Sequence, residues 1–241
     1  MSMRFRTFAA GFAVSVCLLS ALGCSSGEPV DSITDGLGGL SGETGSGGTG
    51  GSVSVGCGPS AGGSISKLFT NVGGYHGTTD TTIDSAQPVT NYGNDTVLRV
   101  DPTRRSLLRW DVTSIPTGAT VIDACIGLQF VDASNDSFMA YEVRKSWDET
   151  TASWLTPWTL GGANSKFDRA GVVVANVHAV SPGPYGTSIS AALVQKWVSH
   201  PPQNFGLIAI NASDTDALSF ASSELSATGA RPALRVTYQL P

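Results

Sequence analysis

Histidine is scarce, with only His76, His178 and His200 in 241 residues. None of the three stands in a nucleophile or metal-ligand pattern, and no cysteine is placed as a catalytic thiol. Asp148 and Glu149 are neighbours and so fall on opposite sides of a strand or turn; the facing carboxylate pair of glycoside hydrolysis would need a distant second partner. Catalysis is therefore not expected. Charge is sparse too, at 14% of residues, and acids outnumber bases 19 to 14. That balance speaks against nucleic acid, whose phosphates demand a basic footprint. No apolar run reaches the roughly 20 residues of a membrane-spanning helix.

What the N-terminus does hold is Arg4 and Arg6 ahead of an apolar stretch over residues 8–22, closed by Ala21, Leu22, Gly23 and Cys24. A basic front, a short apolar middle and small residues at the end read as a signal peptide over residues 1–23. Gly23 followed by Cys24 resembles the lipobox of bacterial lipoproteins, which implies a diacylglycerol on Cys24; ordinary secretion is the alternative. Two or three acyl chains on one residue hold firmly where one does not. By the same analogy, Ser25 implies the outer membrane of the cell envelope. Removing Arg4 and Arg6 leaves 12 basic against 19 acidic side chains and takes the net charge from −5 to −7.

Residues 24–63 are rich in glycine and serine and poor in large apolar side chains. Such a tract cannot bury enough surface to offset its ordering entropy and is expected to be a disordered, flexible linker. Its root-mean-square span would be roughly 35 Å, enough to hold a folded domain away from a membrane.

Residues 64–241 are long enough for one sizeable core and read as one domain. The periodicity is two. Ile122, Ala124, Ile126, Leu128 and Phe130 share one face, with Asp123, Cys125 and Gln129 on the other. Stretches 96–100, 106–110, 138–143, 172–177, 205–210, 217–221 and 233–238 read likewise, between clusters of Gly, Pro, Asn and Asp. The expectation is all-β, a single jelly-roll-like β-sandwich. One short helix is expected where Ile189, Leu193 and Trp197 recur at helical spacing, with Ser188 or Ser190 as N-cap.

Once Cys24 is acylated, Cys57 and Cys125 remain in the mature chain. Cys125 falls on the polar face of its strand, so a disulfide between the two is expected, closing a long loop and worth on the order of 4 kcal/mol by chain entropy. Two unpaired thiols are the alternative.

Read in order, Asp84 and Ser85, the run Asn91, Tyr92, Gly93, Asn94, then Leu98, Arg99, Val100, then residues 105–111 and Ser114, Ile115, Pro116 resemble the opening half of the DNRLRE domain family. Trp147, Asp148, Glu149 and Thr150, the pair Ser153 and Trp154, the helix with Leu193 and Trp197, and Arg231 with Pro232 are similar to its later blocks. The resemblance implies a jelly-roll carbohydrate-binding module with a polysaccharide as partner. In alginate-binding relatives, it further implies, basic positions on the strands after the Asn-Tyr-Gly turn contact the uronic acid chain.

Sugar recognition needs flat aromatic faces and fixed polar groups, and acidic sugars add a need for Arg or Lys. Arg99, Arg105 and Arg109 are the candidates. Strand parity puts Arg105 and Arg109 on one face, and with Arg99 they would form a basic patch. The competing role for each is an internal ion pair with Asp84, Asp101 or Asp111. Tyr92 and Asn94, on the turn, are further ligand-binding candidates, although the Tyr92 ring could equally fold onto the sheet edge. Trp147 and Trp154 read as core anchors and Trp158 as the exposed ring.

Asn211, Ser213, Asp214 and Asp216 make an oxygen-rich loop, with Asp214 and Asp216 as weak calcium candidates that match no complete calcium motif. No other cofactor is expected. The sequons at Asn94, Asn135 and Asn211 carry little meaning in a bacterial lipoprotein. The reading is thus a monomeric, non-catalytic, carbohydrate-binding lipoprotein of the cell surface. A structural or protein-interaction module of the same surface is the alternative.

Overall fold

Alternation of apolar and polar residues lets a strand bury one face, and two such sheets bury theirs against each other. The computed structural model shows that arrangement. It describes residues 63–132, 137–211 and 216–241. The elements are β1 (Ile65–Phe69), β2 (Thr78–Asp84), β3 (Val97–Val100), β4 (Arg104–Trp110), β5 (Thr120–Asp132), β6 (Ser137–Val143), β7 (Arg169–His178), β8 (Gly183–Ser188), α1 (Ala191–Ser199), β9 (Leu207–Asn211), β10 (Leu218–Ala221) and β11 (Ala233–Gln239). The fold is an all-β sandwich of two antiparallel sheets.

The first sheet runs β1-β11-β5-β10-β3, with β8 also on β5. The long β5 is shared: β11 lies along residues 120–127 and β10 beside Phe130 and Asp132, while β8 occupies the opposite edge along residues 125–130. The second sheet runs β2-β4-β9-β6-β7. Between them lies a core of Leu98, Val100, Leu108, Trp110, Ala124, Ile126, Leu128, Val236 and many others, with Phe130, Phe138 and Phe220 in mutual ring contact.

The helix stands where its spacing predicts. Ser190 is the N-cap, its hydroxyl accepting from the Leu193 N–H, and Leu193, Val194, Trp197 and Val198 are buried. Gln195 ties the helix to β5, accepting from the Val121 N–H at 2.7 Å and donating to the Ala119 carbonyl at 3.0 Å.

One expected face is corrected. The pairing of β11 with β5 shifts between Thr237 and Tyr238, so the strand bulges and the alternation resets. Val121 therefore turns into the core, and Ile122 is 40% exposed. Cys125 does lie opposite Ala124 and Ile126, but it is fully buried there. Its expected partner Cys57 lies outside the described residues, as do the signal peptide, Cys24, almost all of the linker and Asn135.

Three strands escaped the periodicity reading. β2, with sequence TTDTTID, lacks apolar residues to alternate, β8 is broken by Gly and Pro, and β1 is an edge strand with only Phe69 fully buried.

Candidate functional site

Arg105 and Arg109 alternate along β4 with Ser106, Leu108 and Trp110, so their side chains leave the core and cross the outer face of the second sheet. That face is covered in part. The chain between β6 and β7, residues 144–168, folds over it and lays Trp147, Ala152, Trp158 and Ala163 on Ile83, Leu107, Val143 and Ile208, a second apolar cluster. Loops of such length in a compact domain are uncommon and usually functional.

Several contacts fix this loop. The Asn91 amide donates to the carbonyls of Glu149 and Ala152 at 2.7 and 2.8 Å, and the Trp147 indole N–H donates to the Phe205 carbonyl at 2.8 Å. Asp168 is fully buried and accepts from the backbone N–H groups of Thr159 and Leu160 at 2.8 and 3.0 Å. Burial alone would raise the Asp168 pKa, but these donors outweigh it and hold the group below its ordinary value. Gly93 lies so near that a Cβ there would stand 2.2 Å from the Glu149 carbonyl oxygen. The Asn-Tyr-Gly turn thus docks the loop.

On the resulting surface the Arg105 guanidinium stacks 4.9 Å from the Trp154 ring, donating to the Gly162 carbonyl and, at 2.8 Å, to Asn164 Oδ1. Arg169, at the start of β7, stacks 4.5 Å from the Tyr141 ring, and its Nε is buried without an acceptor. Burial first, and then the Arg169 charge, bring the Arg105 pKa down to about 10, so Arg105 remains a cation at neutral pH. Neither has a carboxylate within ion-pair distance among the described residues. Trp154 and Tyr141 are each partly exposed beside them. Two planar cations with spare donors, flanked by ring faces, suit a sugar that carries a carboxylate.

The other candidates fall elsewhere. Arg109 stacks 5.1 Å from the Trp147 ring, also without a carboxylate within ion-pair distance among the described residues, and donates to the Trp147 carbonyl at 3.4 Å, which makes it a support of the loop. Arg99 is not on this face: it belongs to β3 of the first sheet and pairs with Asp95 at 3.4 Å. The expected patch of three therefore does not form, and the expected acids are not the partners; Asp101 binds Arg104 at 2.5 Å. Trp158, expected to be exposed, is 6% exposed, with its indole N–H on the Ser153 carbonyl. Trp154, expected in the core, is the ring that reaches the surface. Tyr92 is partly buried, its pKa raised by burial and then by Asp84 and Asp95, and Asn94 is exposed.

Sequence reasoning missed Arg169 and Tyr141. Arg169 lies at a strand end three residues ahead of the stretch that alternation marks, and the bulges between Ala140 and Val143 hide the parity of Tyr141. Of the calcium candidates, Asp214 lies outside the described residues, and Asp216 Oδ1 accepts from the Ala217 N–H at 2.9 Å.

Comparison with known families bears directly on a face of this chemistry. The family model of carbohydrate-binding module family 96 matches residues 74–238. The chain belongs to this family. The match runs from the segment before β2 to Tyr238 near the end of β11, and so takes in every strand but β1 together with the covering loop of this family 96 module. Among curated proteins, none matches the chain.

Proposed function

We propose that this family 96 module is a non-catalytic surface lipoprotein that binds an acidic, uronate-type polysaccharide on the outer face of its second sheet. The observation that carries the reading is the Arg105 and Arg169 pair, two neighbouring guanidinium groups with no carboxylate within ion-pair distance among the described residues, standing over Trp154 and Tyr141. A uronate carboxylate would take two parallel hydrogen bonds from one of them, and the pyranose would lie against a ring.

A panel of neutral and acidic polysaccharides cast into native gels tests this. Acidic polymers should retard the protein, with retardation weakening as salt rises. Equal retardation by neutral polymers would remove the carboxylate from the account.

The second reading, a structural or protein-interaction module, draws on Arg109, whose guanidinium serves only to hold Trp147. It predicts that replacing Arg105 lowers melting temperature and alters no polymer binding.

Residues 1–23 act as a signal peptide, Cys24 carries the lipid in the cell envelope, residues 24–63 are a flexible stalk, and Cys57 is bridged to Cys125. Intact mass of the membrane-extracted protein, before and after reduction and alkylation, tests both the lipid and the bridge.

A further inference from the structure

We propose that Asp80, Glu149 and Glu224 form a calcium site that ties the two sheets to the loop over residues 144–168. The three residues come from three separate parts of the fold. Asp80 is on β2, the edge strand of the second sheet; Glu149 is in the covering loop; Glu224 follows β10 of the first sheet. Their carboxylate oxygens lie within 4.8 Å of one another. Two oxygens on one calcium ion, each at 2.3–2.6 Å, are at most about 5 Å apart, so one ion can touch all three.

The hydrogen bonds leave oxygens over for it. Asp80 Oδ2 accepts from the Ser223 N–H at 2.9 Å, Glu149 Oε1 from the Asp80 N–H at 2.6 Å, and Glu224 Oε1 from the Ser223 hydroxyl at 2.9 Å. These bonds orient the three groups. Asp80 Oδ1 and Glu224 Oε2 are then buried with no donor at all, although Asp80 is only 1% exposed. Buried carboxylate oxygens are almost always satisfied, and two orphans within one cluster of three carboxylates mark a place built for something else. No lysine or arginine among the described residues reaches any of the three within ion-pair distance. Burial and mutual repulsion accordingly raise the Asp80 pKa well above the usual carboxylate value and Glu149 to about 7.

The donor set is all oxygen and all carboxylate, which selects a hard divalent ion, and side chains from three segments suit the irregular, larger shell of calcium better than the strict octahedron of magnesium. The ion would offset two of the three negative charges and hold Glu149, two residues from Trp147, at the edge of β2. The site is distinct from the loop of Asp214 and Asp216 and does not depend on the glycan reading.

The test uses the full chain, stripped with chelator and titrated with calcium chloride by calorimetry, with melting temperature followed in parallel. Expected are one ion per chain, a melting temperature that rises saturably with calcium, and at least about a tenfold loss of affinity in Glu149→Gln and in Asp80→Asn. Far-ultraviolet circular dichroism confirms that each variant is folded; should Asp80→Asn fail to fold, Glu149→Gln, at a partly exposed position, carries the test. No calcium binding at millimolar concentration, tighter binding of magnesium than of calcium, or calcium binding unchanged in Glu149→Gln would each overturn the proposal.

Discussion

The two apolar clusters on either side of the second sheet are made differently. The inner one is closed between sheets and built largely of aliphatic side chains, with Phe69, Phe130, Phe138, Phe220, Trp110, Trp197 and Tyr238 among them, most supplied by the inward positions of strands and by α1. The outer one is built by a loop, from tryptophans held through indole N–H bonds and stacked arginines, and it remains partly open. The inner cluster makes the fold; the outer one makes a surface with chemistry. A stacked guanidinium serves both ends there, worth about 0.5–2 kcal/mol to the loop while keeping donors for a ligand.

If that division is right, the inner cluster should bear most of the stability. Phe130→Ala should cost about 5 kcal/mol and Trp158→Ala about 3 kcal/mol by denaturant unfolding, because the loop can collapse around the smaller residue. Equal losses would break the distinction.

Asp168→Asn sharpens it next. The loss at neutral pH should be about 2 kcal/mol, since two backbone donors lose a charged acceptor. The Asp168 pKa is depressed on folding, so its contribution is complete above the unfolded value of about 3.9 and fades as pH falls through the folded value. Unfolding curves of variant and wild type should therefore converge in acid. A constant gap down to pH 2 would contradict this.

Arg99→Ala should do least. Its pair with Asp95 is about two-fifths exposed on both sides, and removal should cost under about 1 kcal/mol and leave polymer binding as it was.

The same division governs what the sequence makes legible. Alternation in β5 and β6 and helical spacing in α1 report directly on burial between layers, so most of the inner core could be read off, up to the bulge that exchanges Ile122 for Val121. The outer cluster follows no period. Its tryptophans are placed by hydrogen bonds and by the approach of Gly93 and Gly162 to the chain, which is why Trp154 and Trp158 exchange their expected places. Arg105 and Arg109 share a face because parity within one strand is local; Arg99 does not join them because β3 pairs across into the other sheet, which no local pattern records.

The most direct measurement is the affinity of the full chain for an acidic polysaccharide, compared between wild type and Arg169→Ala with melting temperature recorded on the same samples. The Arg169 side chain stacks on Tyr141 and donates to the Ala170 carbonyl of its own strand, so the account predicts at least about a tenfold weaker affinity, as for loss of one charge-assisted contact, with little change in melting temperature. Unaltered affinity in a folded Arg169→Ala protein would contradict it.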